Sequence, residues 1–265
     1  MKKKPTSQGI VLKKKYGQHF LQDISFIHSM LDRVDIQNRS VFEIGPGQGA
    51  LTREILKKDI ARLWVFEIDD EWVSYLQKNI HDARFAIKHT NILDVDFSLF
   101  ASHQPWTLLA NLPYQITFPL LHMLQRERDI LHEGVIMVQE EVAQKIVATR
   151  GRNYGYSSLF FQHYFDWDLM DKVPPKAFYP PPKVFSRLLY FKPKKEPVPI
   201  ICEQDFWPFI KCCFKQPRRT LRNNLSQTHY ALENIPEGLL DMRAQQLTMN
   251  DFLYLWNVVR SVDCS

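Results

Sequence analysis

The chain has 265 residues, of which 45% are hydrophobic and 24% charged, and its formal net charge is +5. This length accommodates one large domain, or one domain of ordinary size with a smaller one, and the composition is typical of a soluble globular protein. The modest excess of basic residues permits a polyanionic partner without requiring one.

Four cysteines, Cys202, Cys212, Cys213 and Cys264, lack the Cys-x-x-Cys spacing of a zinc site and do not fit a disulfide framework. They indicate reduced thiols in a cytoplasmic protein, and we expect no bound metal. The basic start of the chain has no apolar segment after it, so it is not a secretory signal. The uncharged stretch 104–125 contains polar residues and prolines, which predict a strand, a loop and a helix rather than a membrane span.

Apolar strand-like runs alternate with amphipathic helix-like runs through the first half of the chain. Strands are predicted at 41–44, 62–68, 85–89, 105–110 and 134–139. Helices are predicted at 50–58, 69–80, 118–125 and 140–149. This alternation predicts an α/β fold with a parallel sheet and helices on both faces. The carboxyl ends of the strands then share one edge, where such sheets bind ligands.

Two further strands, 166–173 and 186–193, are predicted to complete the sheet, with a stiff proline-rich connection between them. Residues 203–262 have helical periodicity and no convincing strand, which predicts a small all-α C-terminal domain. We therefore divide the chain into two domains, 1–195 and 196–265.

A glycine-rich segment, GPGQG, follows the first predicted strand and opens the first predicted helix. Gly45 and Gly47 allow a tight turn and a close approach to a ligand. Glu67, at the end of the next strand, can accept hydrogen bonds from both ribose hydroxyls of an adenosine. Asn91, after the third strand, can accept from the adenine amine. A plain strand-to-helix turn at the glycines, and a plain turn residue at Asn91, are the alternatives.

The identity of this adenosine-bearing cofactor follows from what the loop lacks. It has neither the Gly-Lys-Ser/Thr of a P-loop nor the G-x-G-x-x-G of a dinucleotide site. S-adenosylmethionine has no phosphate, and its amino-acid tail carries a carboxylate that amides near Gly45 and Gly47 can meet. Glu43 can orient the loop. The sequence therefore favours S-adenosylmethionine as the cofactor.

The segment Asn111-Leu112-Pro113-Tyr114 follows the fourth predicted strand. It can be ordinary turn chemistry with a packed tyrosine. Beside a methyl donor, the segment predicts a catalytic role. The Asn111 side-chain oxygen and the Leu112 carbonyl can each accept a hydrogen bond from an adenine amine and so turn its lone pair toward the methyl group. Pro113 would fix the carbonyl, and Tyr114 would stack on the base. Catalysis would then rest on positioning and preset dipoles.

A base in folded nucleic acid must be unstacked to reach such a pocket, and a second ring would hold it there. We expect Phe178, in the proline-rich segment, to be that ring. Tyr179 and Phe185 are the alternatives, and a core position for Phe178 is the structural alternative.

Three acid-free basic stretches occur, one near the N-terminus (Lys2–Lys4 and Lys13–Lys15), one at 172–195 and one at 206–232. A single charge run is usually a solvated face, but three fit binding to a phosphate backbone better. A helix starting near Pro217 would place the arginines of the third stretch on one face. The expected phosphate contacts are Lys215, Arg218, Arg219 and Arg222.

Together these motifs resemble those of the rRNA adenine N6,N6-dimethyltransferase family, most closely its bacterial small-subunit (16S rRNA dimethyladenosine transferase) type. The matching segments are KKKYGQHFL, EIGPGQGALT, FEID, NLPY, PPKAFYPPPKVFS, RRTLRNNL and RAQQLTMNDFLYL, in family order over almost the entire chain. The resemblance implies a Rossmann-like S-adenosylmethionine-dependent methyltransferase sheet. The cofactor contacts it implies are His19, Leu21, Gly45, Glu67, Asn91 and Asn111.

The substrate implied by this resemblance is a pair of adjacent adenosines in the 3′-terminal hairpin of 16S rRNA, within the small ribosomal subunit or its precursor. Each adenosine would receive two methyl groups from a protein that we expect to be monomeric, cytoplasmic and free of membrane partners. Two departures stand out: family members usually have Asp where this chain has Asn91, and KQPRR interrupts the basic run. A DNA adenine methyltransferase and a non-catalytic assembly factor with a relic pocket are the competing hypotheses.

Overall fold

The structure, a computed structural model, describes residues 5–260, without the side chain of Lys14. Lys2–Lys4 and Cys264, for which the sequence raised expectations, lie outside the described residues. None of the helices in the described part of the chain has the length and apolar character that crossing a bilayer requires.

Eleven strands are present in the described residues, and several of them are only two residues long. In chain order they are β1 (Thr6–Ser7), β2 (Ile10–Val11), β3 (Phe20–Leu21), β4 (Ser40–Ile44), β5 (Arg62–Glu67), β6 (Phe85–His89), β7 (Trp106–Asn111), β8 (Leu131–Gln139), β9 (Phe165–Val173), β10 (Phe178–Tyr179) and β11 (Ser186–Pro193). The described α-helices are α1 (Ile24–Arg33), α2 (Ala50–Leu56), α3 (Asp70–Asn79), α4 (Thr117–Arg126), α5 (Glu140–Val147), α6 (Tyr156–Tyr164), α7 (Glu203–Cys213), α8 (Leu221–Leu225), α9 (Glu237–Leu240) and α10 (Met249–Val259).

Seven strands form the central sheet, in the order β6-β5-β4-β7-β8-β11-β9. Six of them run in one direction, and β11 runs antiparallel between β8 and β9. β5 and β6 lie on one side of β4, and β7 and β8 lie on the other side, so the strand order reverses at β4. Open sheets of this kind bind ligands at that reversal, outside the carboxyl ends of the strands. The predicted sheet is confirmed.

The two faces of the sheet are covered by different side chains because residues alternate along each strand. Val41 and Leu109 pack with Ile27 and Met30 of α1 on one face, in an aliphatic core. The other face is aromatic, and its centre is Phe100, which is fully buried. The Phe100 ring lies 5.1 Å from that of Phe42, 5.5 Å from that of Trp64 and 5.0 Å from that of Trp106, measured between centroids. Both faces are thus closed, as a largely parallel sheet requires.

The described chain groups into two compact units. The first runs to Ala143 and resumes over Phe165–Pro193, and the second comprises Gln144–Tyr164 and the chain from Lys194 onward. This grouping differs from the division at residue 195 because α6 packs within the helical unit, where Phe160 contacts Trp207 with ring centroids 4.8 Å apart. The pattern of a single helix does not reveal which unit it joins.

Candidate active site

A cavity of about 320 Å³ opens beside the carboxyl ends of the parallel strands, which is within the range of small-molecule sites. Its wall combines the segment before β3 with the residues at the ends of β4, β5, β6 and β7. The lining residues are Lys15–Phe20, Ile44, Gly45, Gly47, Phe66–Ile68, Thr90–Leu93 and Asn111–Ile116. The glycine loop, the acid, Asn91 and the NLPY segment therefore share one rim, as the order of strands predicted.

The glycine loop approaches its neighbours so closely that one position excludes a side chain. Gly47 has a φ of +51°, and a Cβ there would lie 2.3 Å from Cε1 of Phe20. The amide of Gly45 donates to the Phe66 carbonyl (2.9 Å), and that of Gly47 donates to Oε2 of Glu67 (3.1 Å). Both of these amides thus have partners within the protein in this structure. The glycines shape the loop around the cavity.

Glu67 is buried at the end of β5, where it organises three backbone amides. Its Oε1 accepts from the amides of Ile68 and Asp69, each at 2.9 Å, and its Oε2 accepts from Gly47. A carboxylate has about four acceptor positions, so after these three amides about one position remains for a ribose hydroxyl. Burial raises the pKa of Glu67, while the three amides oppose that rise.

Asn91 serves a turn and the cavity at the same time. Its Oδ1 accepts from the amide of Leu93 at 3.2 Å, and its Nδ2 donates to Oδ2 of Asp94 at 3.0 Å. An amide oxygen can accept two hydrogen bonds, so Oδ1 has one position left for a ligand donor. The turn role and the binding role, which were alternatives in the sequence, are therefore compatible.

The amide of Asn111 is held in one orientation at the end of β7. Its Nδ2 donates to the carbonyl of His19 at 3.0 Å, and no described residue donates to its Oδ1. The amide of Leu112 donates to the Met137 carbonyl at 3.2 Å, which anchors the turn, and its own carbonyl receives no bond from the described residues. Pro113 then restricts the backbone. Two acceptors that receive no bond from the described residues thus belong to adjacent residues lining the cavity.

Tyr114 presents a half-buried ring whose hydroxyl is fixed. Its Oη lies 2.7 Å from Oγ of Ser186, and its ring stacks near His19 with centroids 6.3 Å apart and planes 22° apart. Burial raises the pKa of Tyr114, so the phenol is neutral at physiological pH. Nδ1 of His19 donates to the Pro180 carbonyl at 2.6 Å, which leaves Nε2 as the acceptor of the neutral ring. Sequence reasoning missed Ser186, although it ends the proline-rich motif.

Phe178 lies in the core, so the prediction that it is a stacking ring is wrong. The residue is 4% exposed and pairs with Leu21 between β10 and β3. Both side chains belong to the aliphatic core under the sheet. Tyr179 and Phe185, the two alternatives, are 43% and 45% exposed. Leu21 does not line the larger cavity; it lines a smaller one of about 30 Å³, which Asn111 also borders.

Glu43 is a second buried acid, and it borders this smaller cavity. Oγ1 of Thr52 donates to its Oε2 at 2.7 Å. Burial raises the pKa of Glu43 to about 8, and the hydroxyl of Thr52 opposes that rise while the charge of Glu67 adds to it. A neutral carboxyl therefore lies beneath the glycine loop at neutral pH.

Glu43→Gln should flatten the dependence of stability on pH. Because the folded-state pKa of about 8 exceeds the ordinary 4.5, the stability contributed by this proton is complete below about pH 4.5 and is lost as the pH rises toward 8. The wild-type free energy of unfolding should fall by about 1.4 kcal/mol per pH unit in that window from this group alone. Denaturant titrations at several pH values measure it. A variant with the wild-type slope would contradict the assignment, and Thr52→Val should extend the fall to higher pH.

The N-terminal wall of the cavity is fastened to α3 by a buried acid. The ammonium of Lys13 lies 2.6 Å from Asp69, 3.3 Å from Asp70 and 2.7 Å from Glu71, and Nε2 of Gln18 donates to Asp69 at 2.8 Å. The hydrogen bond to Asp69 is the largest of the effects that raise the pKa of Lys13. This lysine therefore pairs with carboxylates, and its predicted place in a phosphate-binding stretch is wrong. These three acids also form a cluster with cation-ligand spacing, which the ammonium occupies.

In the helical unit, the basic stretch is arranged differently from the predicted helix. Helix α8 begins at Leu221, because Thr220 caps it by accepting from the amide of Asn223. Arg218 and Arg219 lie in the turn before the helix, so the helix predicted from Pro217 is wrong. Nε of Arg222 lies 3.2 Å from Asp241. Within the described residues, Lys215, Arg218 and Arg219 are exposed and have no ion pair.

The chain is similar to known proteins over most of its length. Residues 10–260 match the sequence profile of the family described as ribosomal RNA adenine dimethylase. The Ribosomal RNA small subunit methyltransferase A of Syntrophotalea carbinolica is 36% identical over 91% of this chain and 94% of its own. That of Laribacter hongkongensis is 37% identical over 92% of this chain and 95% of its own. The crystal structure of a dimethyladenosine transferase from Plasmodium falciparum has a TM-score of 0.76 and 21% identity, and it covers 90% of this chain and 98% of its own.

The resemblance to this family is confirmed by a profile match over most of the chain and by relatives above one-third identity. The chain therefore belongs to the ribosomal RNA adenine dimethylase family, whose members are S-adenosylmethionine-dependent methyltransferases.

Proposed function

We propose that the chain dimethylates the N6 amines of two adjacent adenosines in the 3′-terminal hairpin of 16S rRNA, acting as a monomer on the small ribosomal subunit or its precursor in the cytoplasm. The observation that carries the proposal is the oriented amide of Asn111, whose Oδ1 has no partner among the described residues at a cavity shared with Glu67. The names of the relatives support the small-subunit substrate.

The lining residues fit S-adenosylmethionine. Gly47 lets the loop pass Phe20, where a Cβ would collide with the ring, Glu67 offers an acceptor for a ribose hydroxyl, and Asn91 offers one for the adenine amine. His19 closes the same cavity from the N-terminal segment. When bound, S-adenosylmethionine supplies a methyl group on a positively charged sulfur. The chain's own residues position and activate the target amine.

The target amine of adenine is a poor nucleophile because its lone pair is delocalised into the ring. Asn111 Oδ1 and the Leu112 carbonyl each accept a hydrogen bond from this amine and draw its two hydrogens out of the ring plane. The lone pair then becomes available to attack the methyl group. Tyr114 stacks on the base, and its bond to Ser186 holds the phenol in place. These are preset dipoles that need little reorganisation in the transition state. After the first transfer one hydrogen remains, and a single acceptor suffices for the second.

No strong base is required, since the alkylated nitrogen is acidic enough to release its proton after transfer. A second ring is needed to hold the unstacked base, and stacking contributes about 1–3 kcal/mol per base. Tyr179 and Phe185, the two exposed aromatic residues of the proline-rich segment, are the candidates for this ring.

The basic residues of the helical unit are proposed to contact rRNA phosphates. Replacing both Arg218 and Arg219 with alanine should lower the slope of log Kd against log salt concentration by about 1–2, because two phosphate contacts are lost. Arg222→Ala should have a smaller effect, since Asp241 already neutralises part of that charge. Filter binding of an rRNA hairpin at several salt concentrations measures both. Equal slopes for the double variant and the wild type would contradict these contacts.

Transfer from labelled S-adenosylmethionine tests the reaction itself. Small subunits that lack the modification, large subunits and duplex DNA are offered separately, and the product nucleosides are identified by mass spectrometry. We expect dimethyladenosine at two neighbouring positions of the small-subunit RNA. Transfer to DNA alone would support a DNA methyltransferase, and tight binding without transfer would support a non-catalytic assembly factor.

A further inference from the structure

A buried amide lies beneath the basic turn, which we define as residues 214–219. Asn224, in α8, is 7% exposed. Its Oδ1 accepts from the amide of Gln216 at 3.0 Å, and its Nδ2 is within hydrogen-bond distance of the carbonyls of Cys213 (2.9 Å), Gln216 (3.2 Å) and Arg219 (3.5 Å). One side chain therefore touches the end of α7 and two positions of the turn.

These bonds satisfy backbone groups that have few other partners. Cys213 is the last residue of α7, and the final carbonyls of a helix lack partners within the helix. Pro217, in the middle of the turn, has no N–H to donate. Inside the turn, the amide of Arg219 donates to the Gln216 carbonyl at 2.9 Å. Removing the Asn224 amide would leave one N–H and the end of a helix unsatisfied, so the turn depends on this residue for its shape.

The other end of the turn is held separately. The amide of Leu221 donates to the Met242 carbonyl at 2.8 Å, and the backbones of Thr220 and Arg243 form an isolated antiparallel β-bridge. The path of the chain from α7 to α8 is thus fixed by Asn224 on one side and by this bridge on the other. A loop fixed in this way presents its charges without first losing conformational entropy on binding, which favours affinity.

We propose that Asn224 is a positioning residue for RNA: its buried amide holds the basic turn so that Lys215, Arg218 and Arg219 meet the phosphate backbone as one prearranged set. This inference rests on the proposed function, in which those side chains contact rRNA. Asn224 itself is buried and touches no phosphate. Its effect on binding therefore passes entirely through the turn.

Asn224→Ala is the principal test, made in the full chain. We expect the Kd for an rRNA hairpin and the KM for small subunits to rise about tenfold, with kcat and the Kd for S-adenosylmethionine nearly unchanged. The matched control is Thr228→Val, which removes a hydroxyl bond to the Leu225 carbonyl (2.6 Å) near the other end of α8. This control should cost stability without changing RNA affinity. If the alanine variant does not fold, Asn224→Asp keeps the acceptor for Gln216 and loses the donors.

A double-mutant cycle separates positioning from general destabilisation. In a chain that already carries Arg218→Ala and Arg219→Ala, Asn224→Ala should weaken RNA binding by far less than tenfold further, since of the three charges that it positions only that of Lys215 remains. The inference would be overturned if the effects of the substitutions on RNA binding were fully additive, or if Asn224→Ala lowered RNA affinity no more than Thr228→Val does. Either result would leave the proposed phosphate contacts unaffected. Wild-type RNA affinity in the double arginine variant would overturn those contacts, and the inference with them.

Discussion

Asn111→Ala should lower kcat for methyl transfer by about 10²–10³-fold, the range found when one preset polar group of a transition-state site is removed. The variant loses one of the two acceptors for the target amine and also the bond from Nδ2 to the His19 carbonyl. The turn itself should persist, because the Leu112 amide still donates to Met137. Single-turnover transfer to unmethylated small subunits measures the effect, and RNA affinity should be largely retained.

Asn79→Ala is the matched control, since that exposed amide also donates to a backbone carbonyl, that of Tyr75 at 2.7 Å. It lies at the end of α3 and is not among the residues that line the cavity. The control should turn over at the wild-type rate. Wild-type turnover in Asn111→Ala as well would remove the basis of the mechanism.

Glu67→Gln should raise the Kd for S-adenosylmethionine by roughly 10- to 100-fold, because hydrogen bonds to a charged group contribute about 1.5–3 kcal/mol. The substitution has a second effect, because the new –NH₂ group replaces one of the two carboxylate oxygens. It then faces either the Gly47 amide or the amides of Ile68 and Asp69, which donate to Glu67 in the wild type. Two donors then meet, and the glycine loop shifts. Isothermal titration calorimetry measures the affinity.

Glu133→Gln provides the control for burial, since Glu133 is also buried and also accepts from a backbone amide, that of Asp35 at 2.7 Å. It does not line the cavity, so this variant should lose stability and keep its affinity for the cofactor. A Glu67→Gln protein that binds the cofactor as tightly as the wild type would exclude the ribose assignment.

The shared rim was predictable because it depends on local patterns. Apolar runs marked the strands, and the topology of parallel sheets placed their carboxyl ends together. β8 begins at Leu131, earlier than predicted, because it continues through Glu133. That residue reads as a strand-ending charge, yet Asp35 and the hydroxyl of Tyr190 satisfy its carboxylate. The partners lie far away in the chain, so the local pattern does not contain them.

The errors have two distinct causes. The prolines around Phe178 predict an exposed loop, but Phe178 pairs with Leu21, which lies far earlier in the chain. That pairing is invisible to local reasoning. The wrong start of α8 has another cause. Thr220 is a good N-cap residue, so the sequence does contain a signal for the observed start. Pro217 is also a common first residue of a helix, so two start signals compete in this segment. Asn224 gave no signal, because an Asn in a polar helix reads as a surface residue.

The reversed direction of β11 has a consequence for how this enzyme class can diversify. Because β11 opposes its neighbours, its first residue, Ser186, rather than its last, reaches the ligand edge beside Gln139. The proline-rich segment that leads into it therefore ends beside the cavity, where Oγ of Ser186 meets Oη of Tyr114. Within that segment, Phe178 is tied to the core and to β3, whereas the side chains at 183–185 are exposed. Replacements at these three positions can therefore change the surface beside the cavity while the ladder bonds of the central sheet and the buried Phe178 stay in place.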